Sequence, residues 1–129
     1  MLSKHFVFFS KYGEPIFRGQ IKIRVEELIR QKALEIKCEI VTLEMSEDYV
    51  TLFIKIPIEL PIPKAVQFLK GFSAYMLKRE FTSFKDHPSI WAGGYGMFDY
   101  TPRVVLQIEN FVKNQRDFYK AYNSKTRNI

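Results

Sequence analysis

The sequence predicts an α+β sandwich in the order strand, helix, strand, strand, helix, strand, with a further helix at the C-terminal end. Three observations predict it. Apolar residues recur at helical spacing in three stretches, four short runs are rich in β-branched and aromatic residues, and Pro, Gly and small polar residues fall at the joints.

His5-Phe6-Val7-Phe8-Phe9 is short, apolar and aromatic, and Ser10-Lys11-Tyr12-Gly13 ends it, which predicts a buried strand and a turn. From Gln20 the period changes. Ile21, Val25, Leu28, Ile29, Ala33 and Ile36 are spaced as one face of a helix, with Arg, Lys and Glu between them. Residues 38–45 alternate Ile40, Thr42 and Glu44 against Val41, Leu43 and Met45, as a strand does. The polar Ser46-Glu47-Asp48 and a second β-rich run over 49–56 complete a predicted hairpin. Pro57, Pro61 and Pro63 end it, the last pre-setting a helix start.

That helix is expected over 65–81, with Val66, Leu69, Met76 and Leu77 on one side and Phe68, Phe72 and Tyr75 widening the stripe. Residues 82–89 read as a polar loop, and 90–98 as an extended segment loosened by Gly93, Gly94 and Gly96. Thr101 as N-cap and Pro102 at the first helical position open a third helix carrying Val104, Ile108, Phe111, Val112 and Gln115. The basic, polar stretch 116–129 is expected to fray.

The first six elements make the split βαβ arrangement of a ferredoxin-like βαββαβ sandwich, similar to an RNA-recognition motif. At 129 residues the chain has room for one core, so residues 1–123 read as a single domain and 124–129 as a polar basic tail. Cys38 is the single cysteine, which excludes an internal disulfide and makes a reducing compartment the default. Lys, Glu or Pro interrupts every long apolar stretch, so no membrane span is expected. Residues 1–10 read as a first strand and not as a signal peptide. A cytoplasmic protein is the expectation.

Lys and Arg number 20 against 14 Asp and Glu, a net charge of +6 and a pI near 9.4. That balance favours polyanions, because each neutralised phosphate releases condensed counterions. The 12 Phe and 7 Tyr supply core or base-stacking surface, and composition does not choose between them.

Local residues narrow the reading. His5-Phe6-Val7-Phe8 followed by Ser10-Lys11-Tyr12, Lys70-Gly71-Phe72-Ser73 followed by Glu80-Phe81, Ile90-Trp91 with Tyr95, and Phe111-Val112-Lys113-Asn114-Gln115 occur in an order and spacing similar to one family. Along nearly its whole length the chain resembles the small single-tyrosine HUH transposases of the insertion-sequence 200/605 group. The resemblance implies the HUH transposase fold. It also implies cutting of single-stranded DNA beside a hairpin through a covalent tyrosine–phosphate bond, with a divalent metal held by two His and a Gln. In that family the two His flank a single residue on one strand, the Tyr and Gln sit four apart on the last helix, and homodimers form by joining sheets.

On this chain the family's histidines would fall at Tyr49 and Thr51 and its nucleophile at Phe111, with only the glutamine kept, as Gln115. A phenol and a hydroxyl are poor ligands for a divalent ion, and Phe111 has no oxygen with which to form a phosphotyrosine. The expectation is therefore no catalytic residues, no cofactor and a vestigial Gln115: a pseudoenzyme of mobile-element origin. Gly13, where the family usually carries Arg, is a further departure.

Binding is expected to survive the loss of chemistry. Lys11, Tyr12 and Arg18 after the first strand, and Lys70, Lys78 and Arg79 on the second helix, interleave cations with rings as single-stranded or hairpin DNA or RNA requires. A homodimer is expected, because an edge strand rich in Val, Ile and Phe is otherwise an association hazard. Two other readings stand beside this one. An active transposase would use Tyr95, Tyr119 or Tyr122 as a non-standard nucleophile, with Mg or Mn; a protein-interaction partner would act by pairing with an active transposase. His5, in an apolar strand, is expected to be a hydrogen-bonded structural histidine.

Overall fold

The computed structural model describes residues 1–87 and 89–127. β1 (Leu2–Phe9) alternates its side chains across the sheet, sending Phe6 and Phe8 into one core and Val7 and Phe9 into another. β3 (Tyr49–Ile56) lies antiparallel beside it, with Val7 opposite Thr51 and Phe9 opposite Tyr49. β2 (Glu39–Met45) pairs with the far side of β3, and the short β4 (Gly96–Phe98) with the far side of β1. The order is β2-β3-β1-β4, every pairing antiparallel.

Two helices cover one face. α1 (Gly19–Glu35) contributes Val25, Leu28, Ile29 and Ala33, and α2 (Ile62–Glu80) contributes Ala65, Val66, Leu69 and Leu77. They close over Phe6, Phe8, Val50, Leu52, Ile54 and Ile56 in the main core. Each such side chain contributes about 1.5–3 kcal/mol relative to exposure. The other face takes α3 (Val104–Arg127), whose Val112, Ile108, Phe111 and Tyr119 pack on Val7, Phe9 and Tyr49. This is the predicted α+β sandwich, with one helix added on the open side of the sheet.

Three local expectations are corrected. Only residues 96–98 of the segment 90–98 form a strand. Before them Trp91 makes an isolated bridge to Ser10, and Gly94 turns the chain at a φ of +75°. The tail expected to fray from Arg116 is helical through Arg127. Contacts with the segment after β1 hold it: Tyr122 stacks on Tyr12, and Asn123 Nδ2 donates to the Tyr12 carbonyl at 3.0 Å. Finally, the Val-, Ile- and Phe-rich strands β1 and β3 are the two central ones, so they offer no apolar edge. The long edge is β2, which carries Glu39 and Glu44 and an irregularity between Ile40 and Thr42, features that blunt edge pairing.

Candidate nucleic-acid interface

Tyr49, Thr51 and Phe111, the residues that the resemblance sets at the catalytic positions, lie where α3 crosses the sheet. Tyr49 and Thr51 share the α3-facing side of β3, and the Tyr49 ring is 5.3 Å from Phe9. Arg116, one turn beyond Val112 on α3, donates two hydrogen bonds of 2.9 Å to the Asp48 carboxylate and lies 5.0 Å over the Tyr49 ring. The Asp48 carboxylate raises the guanidinium pKa further and keeps it charged.

Phe111 is half-buried, 6.3 Å from Phe9 and edge-on to Phe98 at 5.6 Å. It lies directly over Gly96, where an added Cβ would come within 2.8 Å of its ring. Gln115, a turn further on, lines a cleft with Phe111, Phe9, Gly94, Tyr95 and Tyr119. Thr51 opens into a different groove of about 510 Å³, with His5, Glu44, Ile108 and Glu109 on its walls. Tyr49 and Phe111 thus meet through Phe9, while Thr51 and Gln115 line separate clefts. Burial pushes the Tyr119 phenol pKa up.

His5 corrects an expectation. Its Nε2 is buried without a hydrogen-bond partner, and the ring is held by stacking instead, 4.3 Å from Phe53 and 6.1 Å from Tyr100. Burial lowers its pKa and favours the neutral form. His87 pairs with Glu14 at 3.5 Å.

The six residues read as binding candidates fall in several places. Lys11 holds its ammonium 5.0 Å from the Tyr12 ring centre. Arg18, exposed ahead of α1, pairs with Glu47 at 3.0 Å. Lys70 turns inward, donating to the carbonyls of Ala92 at 2.8 Å and Gly94 at 2.7 Å. Lys11 flanks the same loop, its backbone N–H bonded to Ile90 O at 2.9 Å. Lys78 and Arg79 close α2, where Arg79 donates to the Tyr75 hydroxyl at 3.0 Å. Lys11 and Lys70 therefore bracket the 90–94 loop, with Lys70 acting as its brace.

Sequence reasoning missed Arg116, Phe118 and Tyr122 as parts of this surface. The signal was there in the helical spacing of Gln115, Phe118, Tyr119 and Tyr122, in a stretch read as a fraying tail. Asn123 gave no such signal, because its partner is 111 residues away.

A four-stranded antiparallel sheet of this order, with the last helix, which bears position 111, laid across the face that bears positions 49 and 51, is the architecture of a transposase. A crystal structure from Deinococcus radiodurans R1, described as a transposase, superposes with a TM-score of 0.82 at 26% identity, covering 88% of this chain and 90% of that one. Residues 1–115 match the family model of the IS200-like transposases, and the chain belongs to that family. The ISDra2 transposase TnpA of Deinococcus radiodurans is 24% identical over 119 residues, 90% of this chain and 85% of its own length. The transposase for insertion sequence element IS200 of Salmonella typhimurium is 25% identical over 114 residues, 86% and 74% of the two lengths. A REP-associated tyrosine transposase bound to a REP hairpin shares the fold at a TM-score of 0.57 and 9% identity, covering 83% of this chain and 61% of that one. Among the described residues no helix is long and apolar enough to cross a membrane.

Proposed function

We propose that this transposase-family protein binds single-stranded or hairpin nucleic acid without cutting it, acting as a regulator or accessory factor. The observation that carries the reading is Phe111. At the position where the family resemblance puts the nucleophile stands a ring without oxygen, wedged between Phe9, Phe98 and Gly96. Such a side chain cannot attack phosphorus.

The donor set around it argues the same way. Tyr49 and Thr51 offer neutral hydroxyls and Gln115 a neutral amide, and the Arg116 cation already occupies the Tyr49 ring. Those groups do not fit a divalent ion, which prefers imidazole or carboxylate. Among the described residues no group of three or more His, Cys, Asp or Glu is placed to hold one. A substitute nucleophile is poorly served as well. Tyr119 shares the Gln115 cleft, but burial makes its phenol harder to ionise, whereas a nucleophile needs the reverse.

Nucleic-acid binding draws on family membership, the net charge of +6 and the REP hairpin held by a relative of the same fold. The same reading has the protein cytoplasmic and homodimeric, on the family's precedent. Incubating it with labelled single-stranded hairpin DNA and Mn²⁺ or Mg²⁺, then splitting the sample between native and denaturing gels, tests the proposal. The expected result is a native shift with no covalent adduct. An adduct lost on replacing Tyr95, Tyr119 or Tyr122 with Phe would overturn it.

A further inference from the structure

We infer that Tyr12, Tyr122 and Phe118 form a stacking site for the unpaired bases of a single-stranded segment, with Lys11 and Lys125 taking its phosphates. This rests on the binding proposed above and adds where on the molecule the bases go.

The three rings are nearly parallel. Tyr12 and Tyr122 lie 5.4 Å apart at 7°, and Tyr122 and Phe118 6.4 Å apart at 17°. They are exposed, Phe118 at 61%, Tyr122 at 40% and Tyr12 at 36%. Base–aromatic stacking works on such a surface and tolerates any sequence, because every base has a π-face.

A second, independent feature points to the same place. Tyr12 sits at a φ of +59° and a ψ of 17°, a left-handed backbone that is costly for a bulky residue. Strain of this kind persists only where surrounding contacts over-determine it, and it clusters at ligand-holding sites. Here Asn123 Nδ2 grips the Tyr12 carbonyl, and the ring stack on Tyr122 grips its side chain. The twist directs the Tyr12 ring away from both cores and onto the end of α3.

Charge selects the occupant. Lys125 is exposed on the face of α3 that carries Phe118 and Tyr122, and Lys11 stands beside Tyr12, with Asp117 the acidic neighbour. The large groove on the sheet, by contrast, is walled by Glu44 and Glu109 and repels phosphate.

The test compares a DNA hairpin with a short oligothymidine tail, the same hairpin without a tail, and one whose tail is abasic. The readout is fluorescence anisotropy with the full chain. The oligothymidine tail should tighten binding and the abasic tail should not. Phe118→Ala and Tyr122→Ala should each weaken the tailed hairpin by about 5- to 150-fold and leave the tailless one unchanged. Tyr122→Phe should bind as the unaltered protein does. A tail advantage that survives both alanine variants overturns the stacking site while leaving hairpin binding standing. Failure of the unaltered protein to bind any of the three DNAs overturns both. Self-association abolished by Phe118→Ala, without any effect of the tail, would make the rings a contact between copies and overturn the inference.

Discussion

Gly13 and Tyr119 occupy space that only one of them can fill. An added Cβ at Gly13 would stand 2.9 Å from Tyr119 Cδ2 and 3.1 Å from its Cβ, so the obstacle includes the fixed base of the tyrosine as well as its ring. The glycine also holds a φ of +66°, which an L side chain adopts at a penalty. Gly13→Ala is therefore expected to destabilise the fold by about 1–3 kcal/mol, read as a lower urea midpoint at unchanged slope. A side chain at 13 and Tyr119 in its present place exclude each other. Gly96 and Phe111 repeat the arrangement on the sheet, the glycine making room for the phenyl ring. Neither pairing was legible from the residues alone, because each joins a position in the first or fourth strand region to one on the last helix.

α2 braces the 90–94 loop through a half-buried cation. The Lys70 ammonium, bonded to Ala92 O and Gly94 O and 5.6 Å from the Phe8 ring centre, has its pKa pushed down to about 8 by burial. Its ordinary value is 10.5, so between about pH 8 and 10.5 the unfolded chain holds this proton and the folded one does not. Stability contributed by this group therefore rises with pH across that window, and below pH 8 the charged form carries a constant penalty. Chemical denaturation from pH 7 to pH 10.5 should show the rise, and Lys70→Gln should remove it. The neutral amine still has N–H groups for both carbonyls, so the loop should stay in place as the lysine titrates. Element boundaries were largely legible, because periodicity and prolines mark them. The docking of α3 from Arg116 onward was not, since polar composition suggested fraying and long-range contacts with Asp48, Phe9 and Tyr12 oppose it. The family resemblance singled out positions 49, 51 and 111, and nothing in the residues told of their surroundings. Arg116 over Tyr49 and Phe111 over Gly96 depend on how α3 crosses the sheet.

For the molecule as a whole, charge and shape divide the surface. The net charge of +6 draws polyanions from any direction, but the sheet groove with Glu44 and Glu109 turns phosphates away and the Tyr12–Tyr122–Phe118 end receives them. Affinity for the tailed hairpin should therefore fall steeply with salt. Replacing Lys11 and Lys125 together with Gln should flatten the slope of log K against log salt by about 1.4, measured by titration at several ionic strengths. A slope left unchanged would mean that the phosphates run elsewhere.

The hydrogen bond from Asn123 to the Tyr12 carbonyl spans 111 residues, and it ties the shape of the turn after β1 to the last helix. During synthesis at about 5–20 residues per second, Tyr12 waits roughly 6–22 s before Asn123 has been made. The sheet and its two covering helices have all their residues sooner. The ring platform is therefore completed after the sheet and its two covering helices, and a nascent chain that already has its main core still cannot present it. Recognition through that platform would begin only once the whole of α3 has been translated.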